Sequence, residues 1–532
     1  MDTDVLIVGA GPVGLTLALD LGRRGIRCTL VEQKSAPHMW PKMERCNARS
    51  MEIYRRLGLA ETIRAAGLPA SVPMDVYIVT SLIEPPLLHL PYPSVAEAKR
   101  QIAACHDGTL PLEPYQLISQ YTLEPLLKSV VERLPSVVAR YGCEFLSFRQ
   151  DANAVTAEVS EGGKTSTIAA KFLVGCDGGT SSVRKQLDIK LSGEGNILQL
   201  RQALYHCDDL FERISIGKGR HYHVADAQST QLIVQDSTKH FTLHSVVEKD
   251  QDMATKFEEA VAMPVQYEML YVGEWRQNLL LAESYGRGRV LLAGDAVHLV
   301  IPTGGLGMNT GVGDVIDLGW KLAGTLQGWG GPGLLASYEV ERRRIGENNV
   351  GASRYASLGR RKWRSQWKPG IRANTPAGAA ARAHLAAVAD IEQRKTNEMI
   401  GAELGYHYFG SPLVAPEGGD GPPYDFIDYT PTTWPGARLP HAWLPDGRAA
   451  ADCIGDGYTL LRLAGSTADG SGLSAAFGKI GAPFTVLDLP GGEARAIYGR
   501  DLVLVRPDLH VIWRGNAPPD DPARIAAMAT GH

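Results

Sequence analysis

The amino-acid sequence predicts an α/β protein of three parts: a dinucleotide-binding domain, a sheet-based domain inserted within it, and a small C-terminal α/β domain. The first part is indicated by a strand, a glycine-rich turn, a helix and a second strand near the N-terminus. The second is indicated by a change to strand-like runs between about 190 and 283. Short strands after a Gly- and Pro-rich segment indicate the third.

The composition is typical of a soluble globular chain that is long enough for about two to four domains. Of 532 residues, 44% are hydrophobic and 21% are charged, and the formal net charge is −4. This slightly acidic balance favours neither nucleic acid nor a membrane surface as partner, and no apolar run has the length of a membrane span. Because the apolar start carries Asp2, Asp4 and patterned glycines, we expect it to be mature structure rather than a signal peptide.

The seven cysteines are scattered along the chain and include no CxxC pair. Such usage is typical of a reducing compartment, and it favours neither a disulfide redox enzyme nor a zinc site. We therefore expect a cytoplasmic protein without a metal.

The N-terminal half is predicted to alternate strands and helices. The predicted elements are strand Val5–Val8, a helix to about Arg24, strand Arg27–Val31, a helix from about Ala48 to Ala66, a strand at VYIV, a helix at Gln116–Arg133, and strands at Cys143–Phe148, Ala154–Val159 and Lys171–Val174. Residues 70–115 are otherwise Pro-rich and irregular.

The second half begins with the runs TQLIVQ, HFTLHSVV and YEMLYVGEW, which predict the strands of a separate sheet. The strand RVLLAGD then returns to the first pattern, and a helix-rich section follows from about 310 to 404. The segment SPLVAPEGGDGPPYD is a predicted linker. Beyond it, YTLLRLA, FTVLDL and DLVLVRPDLHVIWRG predict strands, and a helix near Ala523–Met528 closes the chain.

The N-terminal turn GAGPVG has the spacing of a dinucleotide-binding turn. Gly9 makes the turn, Gly11 leaves room for a pyrophosphate, and Gly14 lets helix and strand pack closely. The free N–H groups of the helix N-terminus would face the phosphates. Glu32 ends the second strand, where a carboxylate accepts hydrogen bonds from an unphosphorylated ribose. The pattern predicts dinucleotide binding and leaves FAD and NAD as alternatives.

Two further turns place an acidic residue beside glycine at the end of a strand. FLVGCDGGTSSVR contains Asp177 and Gly178, with Arg184 at the start of a helix. GRVLLAGDAVHLVIPTGGLGMNTGVGD contains Gly294 and Asp295, and a glycine-rich loop then leads to a helix predicted from about residue 310. Because glycine relieves the steric limit on φ and allows close approach of the backbone, this loop predicts a ligand lying against bare main chain.

Three glycine-plus-acid turns in this order resemble the flavoprotein aromatic hydroxylases, the single-component FAD-dependent monooxygenases, over nearly the whole chain. In that family the first motif binds the ADP part of FAD, the second serves FAD and the passing nicotinamide, and the third holds the ribityl chain. The C-terminal part resembles the thioredoxin-like appendage of the phenol hydroxylase branch. It lacks CxxC, so we predict packing or a homodimer contact there and no redox activity.

The resemblance implies an α/β fold with a Rossmann-like FAD-binding domain, an inserted sheet-based substrate domain and a thioredoxin-like domain. The implied boundaries are 1–72, 116–188 and 284–404 for the FAD-binding domain, 73–115 and 189–283 for the substrate-binding domain, 405–425 for the linker, and 426–532 for the thioredoxin-like domain.

The resemblance also implies which residues contact the cofactor. They are Gly9, Gly11, Pro12, Val13, Gly14, Glu32, Gln33, Lys42, Arg49, Gln120, Asp177, Gly178, Arg184, Gly294, Asp295, Pro302, Gly305, Gly307, Met308 and Asn309. Side chains at the glycines of the third motif would collide with the flavin ring. The N–H groups of Met308 and Asn309 would donate to a flavin oxygen, and the following helix would direct its N-terminus at flavin N1. His298 is expected to pack beside the ribityl loop.

The implied reaction is hydroxylation of a small phenolic compound by NADH or NADPH and O₂. Reduced flavin takes up O₂ as a C4a-hydroperoxide, and the distal oxygen enters the ring. Because the phenol must lose a proton, a base or polar group is expected beside it. The candidates for contact with the substrate are Pro302, whose carbonyl faces the substrate hydroxyl in the family, and Glu44, Tyr222, His223, Gln235 and His244. No second GxGxxG occurs in a strand–helix context, so we expect no separate nicotinamide domain.

Several alternatives remain open on the sequence alone. The hydroxylase could serve catabolism or the tailoring of a polycyclic natural product. A halogenase or a ring-reducing dehydrogenase would use the same cofactor, although the halogenase pattern WxWxIP is absent. A flavoprotein redox sensor is a non-enzymatic alternative, and the three intact motifs beside a separate sheet domain argue against it.

Overall fold

The computed structural model describes residues 1–37 and 42–532. Its strands are β1 Thr3–Val8, β2 Cys28–Glu32, β3 Arg45–Cys46, β4 Val76–Val79, β5 Leu88–Leu90, β6 Gln116–Leu117, β7 Val137–Tyr141, β8 Cys143–Gln150, β9 Val155–Glu161, β10 Lys164–Gly175, β11 Leu191–His206, β12 His221–Val224, β13 Gln231–Val234, β14 His240–Ser245, β15 Glu268–Ala282, β16 Gly286–Arg287, β17 Val290–Leu292, β18 His298–Leu299, β19 Tyr458–Leu463, β20 Phe484–Leu489, β21 Leu502–Val505 and β22 Val511–Gly515.

Helices connect and cover these strands. They are α1 Pro12–Arg23, α2 Ala48–Arg56, α3 Ala60–Ala66, α4 Val95–Ala103, α5 Gln120–Val131, α6 Ser182–Gln186, α7 Leu210–Arg213, α8 Asp252–Val261, α9 Gly307–Gln327, α10 Pro332–Arg364, α11 Pro376–Glu392, α12 Arg394–Asn397, α13 Ile400–Leu404, α14 Ser471–Ile480, α15 Glu493–Tyr498 and α16 Pro522–Thr530. None of the helices in the described ranges combines the length and the apolar character that a bilayer crossing needs.

The first sheet has the order β16-β17-β10-β1-β2-β7, and β8 and β9 extend it from β10. Strand β1 runs parallel to β2 and β10, and β17 runs parallel to β10. The carboxyl ends of these strands therefore meet at one edge, and the three glycine-plus-acid turns leave the sheet there. This arrangement confirms the predicted Rossmann-like α/β class.

The second sheet has the order β18-β15-β11-β14-β13-β12-β4-β5. Strand β4 pairs in parallel with β12, so a segment that precedes residue 80 joins strands that follow residue 190. The long strand β11 was not predicted, because its first half, LSGEGNILQ, carries Gly and polar residues instead of an alternating apolar pattern.

Two predicted helices have different limits in the structure. The segment from Ala48 to Ala66 forms α2 and α3, because Gly58 between them has φ +76°, outside the helical range. Residues Gln116–Leu117 form strand β6 against β3, so helix α5 begins at Gln120.

Helix α9 begins at Gly307, three residues before the predicted start. Its glycines bring it close to the first motif, since a Cβ on Gly311 would lie 2.6 Å from Val13 Cγ2 and 3.0 Å from the Cα of Gly294. Helices α1 and α9 therefore hold the first and third motifs side by side.

The C-terminal part has a four-stranded sheet in the order β20-β19-β21-β22. Strands β19 and β20 are parallel and joined through α14, and β21 and β22 are antiparallel and followed by α16. A βαβ unit followed by a ββα unit is the thioredoxin arrangement. Cys453, like the other six cysteines, is a free thiol.

Candidate functional site

A cavity of about 890 Å³ lies between the carboxyl edge of the first sheet and the face of the second sheet. Its wall includes most of the predicted cofactor contacts, namely Gly9, Gly11, Pro12, Val13, Glu32, Gln33, Lys42, Gln120, Asp177, Gly178, Asp295, Pro302, Gly305, Gly307, Met308 and Asn309. Of the predicted substrate contacts, Glu44, Gln235, His244 and Pro302 also lie on this wall. The cavity thus joins the dinucleotide-binding motifs to side chains of the second sheet.

The three glycines of the first motif have different surroundings. Gly9 has φ +103°, and a Cβ there would lie 2.5 Å from the carbonyl oxygen of Cys176. Gly14 packs against the carbonyl of Gly9, behind the cavity wall. At Gly11 the nearest atom to a Cβ would be Glu124 Oε1 at 3.9 Å, so this glycine faces open space. Gly9 and Gly14 therefore shape the turn, and Gly11 leaves room for a ligand.

Glu32 is held in place by the main chain around it. Its Oε2 accepts a hydrogen bond from the N–H of Ala10 at 2.9 Å, and its Oε1 accepts one from the N–H of Lys34 at 3.0 Å. The carboxylate lies on the cavity wall with its remaining lone pairs available to hydroxyl donors.

The second motif presents a carboxylate with one oxygen unsatisfied. Asp177 Oδ2 accepts from the N–H of Val183 at 3.1 Å, whereas Oδ1 is buried and has no hydrogen-bond partner among the described residues. Burial raises the pKa of Asp177. A hydroxyl or N–H donor in the cavity would satisfy this oxygen.

The second and third motifs are tied together by Arg184. Its Nη1 donates to the carbonyl of Ala296 at 3.0 Å and to that of Gly179 at 3.2 Å. Arg184 and Gly294 are not on the cavity wall, and direct cofactor contact stays a prediction for both. Gly294 has φ +64°, which the turn requires, and it directs Asp295 into the cavity. Burial raises the pKa of Asp295.

The glycines of the 302–309 loop make room mainly for protein. A Cβ on Gly304 would lie 2.9 Å from Met399 Sδ, and one on Gly305 would collide with the guanidinium of Arg45. Both glycines have positive φ, +93° and +66°. The loop thus needs glycine for its backbone path and for neighbouring side chains, whereas the sequence suggested a collision with the ligand.

The first turn of α9 offers main-chain donors to the cavity. Gly307, Met308 and Asn309 begin the helix, whose first N–H groups have no partner within it, and no acidic residue lies in this turn. The side chain of Asn309 is otherwise engaged, because its Oδ1 accepts from the N–H of Asn47 at 2.9 Å.

Pro302 lies on the wall, but its carbonyl oxygen already accepts from the N–H of Gly305 at 2.8 Å. Its predicted role, acceptance from a substrate hydroxyl, would use the second lone pair. Gln120 also has a partner, since its Nε2 donates to Glu124 Oε1 at 2.6 Å.

Strand β12 of the second sheet and the residue before β3 contribute an imidazole–carboxylate pair. His221 Nε2 lies 2.9 Å from Glu44 Oε2, and both side chains line the cavity. Burial disfavours the ionised form of Glu44, but the hydrogen bond with His221 and the charges of Arg220, Arg45 and the protonated form of His221 together outweigh it and hold the pKa of Glu44 well below its usual range. Burial lowers the pKa of His221, so at neutral pH the pair is a carboxylate beside a neutral imidazole.

Two more predicted side chains have unsatisfied atoms on the wall. Gln235 Nε2 donates to Thr242 Oγ1 at 2.6 Å, and its Oε1 has no partner in the described ranges. His244 stacks on Trp275 with the ring centroids 6.2 Å apart. Burial lowers the pKa of His244 to about 4, so its imidazole is neutral at pH 7.

Besides Gly14, Arg184 and Gly294, three more predicted site residues are not on the cavity wall. Arg49 is buried away from it and donates to the carbonyl of Asp508 at 3.0 Å, because α2 packs against the C-terminal part. Tyr222 points to the opposite face of β12, where its hydroxyl donates to the carbonyl of Gly217 at 2.9 Å. His223 lies deeper, with Nε2 at 3.2 Å from Gln393 Nε2.

The charged or titratable residues of the wall that sequence reasoning missed include Arg45, Arg220, His221 and Arg360. The two-residue repeat of strand β12 could have excluded Tyr222 from the face that carries the histidines. No sequence pattern predicted that Arg360 would lie on this wall, because it belongs to helix α10, which begins more than a hundred residues after β12.

His298 is fully buried beside the third motif. Its Nε2 lies 2.8 Å from Asp314 Oδ2, and Arg342 Nε donates to Asp314 Oδ1 at 2.9 Å. Asp314 also accepts from the N–H of Gly294 at 3.1 Å. This network braces the turn that carries Asp295.

Comparisons with known proteins agree with this architecture. The FAD binding domain family matches residues 2–353, and the aromatic-ring hydroxylase C-terminal family matches residues 432–531. The FAD-dependent monooxygenase apdD of Emericella nidulans is 34% identical over 569 aligned positions, which cover 99% of this chain and 90% of apdD. Aklavinone 12-hydroxylase RdmE of Streptomyces purpurascens is 30% identical, with 98% of this chain and 97% of RdmE covered.

A solved structure gives the same assignment. The rebeccamycin biosynthetic enzyme RebC with reduced flavin has a TM-score of 0.90 and 32% sequence identity to this chain, with 99% of both chains covered. The matching families, the relatives and the three motifs at one sheet edge lead to the same conclusion: the chain belongs to the FAD-dependent aromatic-ring hydroxylases and is a flavoprotein monooxygenase.

Proposed function

We propose that the protein hydroxylates a phenolic ring of a polycyclic natural product, with NADH or NADPH and O₂ as co-substrates. The observation that carries this proposal is the single cavity that runs from the dinucleotide-binding turn to the Glu44–His221 pair. What is proposed is the class of substrate and the use of a nicotinamide dinucleotide as reductant.

The residues on the wall fit FAD. We infer that the ADP part lies at Gly11 and Glu32, that Asp177 and Asp295 bind hydroxyls of the ribityl chain, and that the ring lies by the 302–309 loop. This placement is supported by the open space at Gly11, by the unsatisfied Oδ1 of Asp177, and by the free N–H groups of the first turn of α9. These N–H groups and the positive end of the helix dipole favour negative charge, by about 0.3–2 kcal/mol for the dipole.

Bound FAD supplies the redox chemistry, and the balance of the reaction is simple. NAD(P)H and one proton provide two electrons, one oxygen atom of O₂ enters the ring in place of hydrogen, and the other leaves as water. The protein must position the ring and exclude bulk water from the reacting atoms.

The Glu44–His221 pair is the proposed acceptor of the phenol proton. A neutral imidazole can take the proton, and the adjacent carboxylate stabilises the imidazolium that results. His244 is the alternative base, because its Nε2 is unpartnered in the described part of the chain. Tyr222 and His223 do not line the cavity, so the proposal gives neither of them a part in this proton transfer.

The names of the relatives support a tailoring role over catabolism. RdmE hydroxylates aklavinone by its name, and RebC is described as a biosynthetic enzyme for rebeccamycin. A phenol 2-monooxygenase of Pseudomonas is also similar, at 28% identity, so simple phenols belong in the test.

The test is turnover of FAD-loaded protein with phenol, 1-naphthol and a hydroxyanthraquinone. Hydroxylation predicts that NAD(P)H and O₂ are consumed together and that the product is heavier by one oxygen atom. A tailoring role predicts a higher kcat/KM for the polycyclic compound. Oxidation of NAD(P)H that yields only hydrogen peroxide with every compound would contradict the proposed substrate class.

The placement of the ring by the loop is tested with Gly305→Val. This change adds strain at φ +66° and displaces Arg45, so we expect loss of bound FAD and of turnover. Gly163→Val is the matched control, since Gly163 has φ +77° in a hairpin with open space around it. Full FAD content in Gly305→Val protein would contradict the placement.

A further inference from the structure

Two arginines on the second-sheet side of the cavity have unsatisfied donors. Arg220 is 1% exposed, and its Nη2 donates to Asn397 Oδ1 at 3.0 Å, while its Nε and Nη1 have no partner in residues 1–37 and 42–532. Arg360 Nη1 donates to Gln231 Oε1 at 3.1 Å, and its Nε is also unpartnered within those ranges. Both side chains line the cavity.

The carboxylates near these arginines already have other partners. Glu44 lies 2.9 Å from His221, and Glu403 lies 3.8 Å from Arg45 on the same wall. The two arginines repel each other, and burial together with Arg220 lowers the pKa of Arg360 to about 10 despite the attraction of Glu44. On the second-sheet side of the cavity, the wall therefore carries the cations Arg45, Arg220 and Arg360 beside one lining carboxylate, Glu44.

The position of this charge separates it from the dinucleotide motifs. Arg220 directly precedes strand β12, and Arg360 lies near the end of helix α10, whereas the three motifs leave the carboxyl edge of the first sheet. The pyrophosphate has its own binding place at Gly11 and the N-terminus of α1. The unsatisfied guanidinium groups thus face the part of the cavity that remains for a substrate.

Buried guanidinium groups are stable when a carboxylate accepts their hydrogen bonds. A guanidinium presents donors in a planar fork that matches the two oxygens of a carboxylate, and amide groups at Asn397 and Gln231 hold the two forks in place. We propose that the substrate carries a carboxylate in addition to its phenol, and that Arg220 and Arg360 bind it. This inference rests on the proposed function, because it describes the substrate of the same cavity.

The experiment measures binding without turnover. FAD-loaded protein is titrated, in the absence of NAD(P)H, with two matched pairs: benzoate with benzamide, and 3-hydroxy-2-naphthoate with 3-hydroxy-2-naphthamide. Flavin absorbance and equilibrium dialysis both report binding, so a complex that leaves the flavin spectrum unchanged is still detected. We expect at least one carboxylate to bind about tenfold or more tightly than its amide, as a hydrogen-bonded charge requires.

Arg360→Met should abolish this preference while the FAD content stays unchanged. Arg360→Lys keeps the positive charge but lacks the forked donors of a guanidinium, so this variant should retain part of the preference for carboxylates. Arg361→Met is the matched control. Arg361 is the next residue of α10 and is exposed, and its substitution removes the same charge as Arg360→Met. It should keep the full preference.

Three results would overturn the inference: equal or absent binding of carboxylates and amides, an unchanged preference in Arg360→Met, or loss of FAD from that variant. Failure of the proposed function has a different signature. Carboxylate preference without hydroxylated product would contradict the hydroxylase proposal alone, and turnover without preference would contradict the carboxylate alone.

Discussion

The surroundings of Arg506 and those of the cavity arginines, Arg220 and Arg360, differ in where the counter-charges come from. Arg506, on the loop after β21, is fully buried and pairs with Glu341 at 2.7 Å, Asp508 at 2.8 Å and Asp317 at 2.5 Å. The hydrogen-bond partners of the cavity arginines, Arg220 and Arg360, among the described residues are amides, and Arg220 also lies over the rings of Tyr92 and Tyr115.

The difference separates a structural role from a binding role. The acids around Arg506 belong to α9, α10 and the Arg506 loop itself, so the charge joins the FAD-binding part to the C-terminal part. In the cavity, the charged groups face space that a ligand can fill. Groups of the first kind should determine the stability of the empty protein, and groups of the second kind should determine ligand affinity.

The largest expected effect is that of Arg506→Met. Removing the cation leaves three buried carboxylates beside one buried cation, Lys321, which pairs with Asp317 and Glu341, so the free energy of unfolding should fall by about 3–5 kcal/mol. Urea denaturation of the FAD-loaded protein measures it. Arg462→Met removes an exposed ion pair with Asp488 from the same C-terminal sheet and should cost under about 1 kcal/mol. Equal losses in the two variants would contradict the structural role of Arg506.

The next effect is on the cofactor rather than on the fold. Asp295→Ala removes a carboxylate that lies on the cavity wall, so FAD affinity should fall about tenfold to hundredfold, as expected for a lost charged hydrogen bond. The stability of the apoprotein should stay the same or rise, because burial already opposes this charge. Reconstitution of apoprotein with FAD, followed by flavin fluorescence, gives the affinity. Asp390→Ala, on the exposed face of α11, is the control, and wild-type affinity in Asp295→Ala would contradict the contact.

These two regions also show what sequence could and could not predict. The strand–turn–helix context of Gly9, Gly11 and Gly14 is local, so a motif in one short segment predicted the turn and the fold around it. Asp177 and Asp295, which both line the cavity, were predicted for the same reason, since each ends a strand within its own motif. The α/β class followed from the same local patterns.

The partners of the cavity could not be predicted, because they come from distant segments. Arg360 lies on the wall because of how α10 packs. Arg49 instead donates to the carbonyl of Asp508 in the C-terminal part, and no local sequence pattern predicts the packing of that part against α2. Tyr222 and His223 follow the wall residue His221 in the sequence. Tyr222 lies on the opposite face of the strand, and His223 lies deeper than the wall. A local pattern predicts an element, whereas a charge cluster depends on tertiary packing.

Glu44→Gln removes the carboxylate of the cavity pair and should have an intermediate effect. Glu44 has a lowered pKa, so its contribution is present at neutral pH, and the variant should lose about 1–2 kcal/mol of stability at pH 8. The pKa of His221 is also lowered in the folded state, so stability falls as the pH drops below about 6.5.

Without Glu44, the His221 cation loses the group that raises its pKa, so the difference between wild type and Glu44→Gln should be larger at pH 5.5 than at pH 8. Urea midpoints at the two pH values measure this. Glu61→Gln is the control, because Glu61 is exposed and pairs with Lys99 on the surface. A difference that shrinks between pH 8 and pH 5.5 would contradict the assigned charges.

The smallest effect, and the one with the opposite sign, is expected for Arg360→Met in the empty protein. Its guanidinium lies beside Arg220 and has a lowered pKa, so the folded state disfavours the charge that methionine removes. Loss of the Gln231 hydrogen bond offsets part of this gain, and stability should stay the same or rise by up to about 1 kcal/mol. Thermal unfolding of Arg360→Met beside Arg506→Met gives the direct contrast. An equal loss of stability in both variants would mean that both arginines serve the fold of the empty protein. That result would contradict the proposal that Arg360 binds a negatively charged ligand.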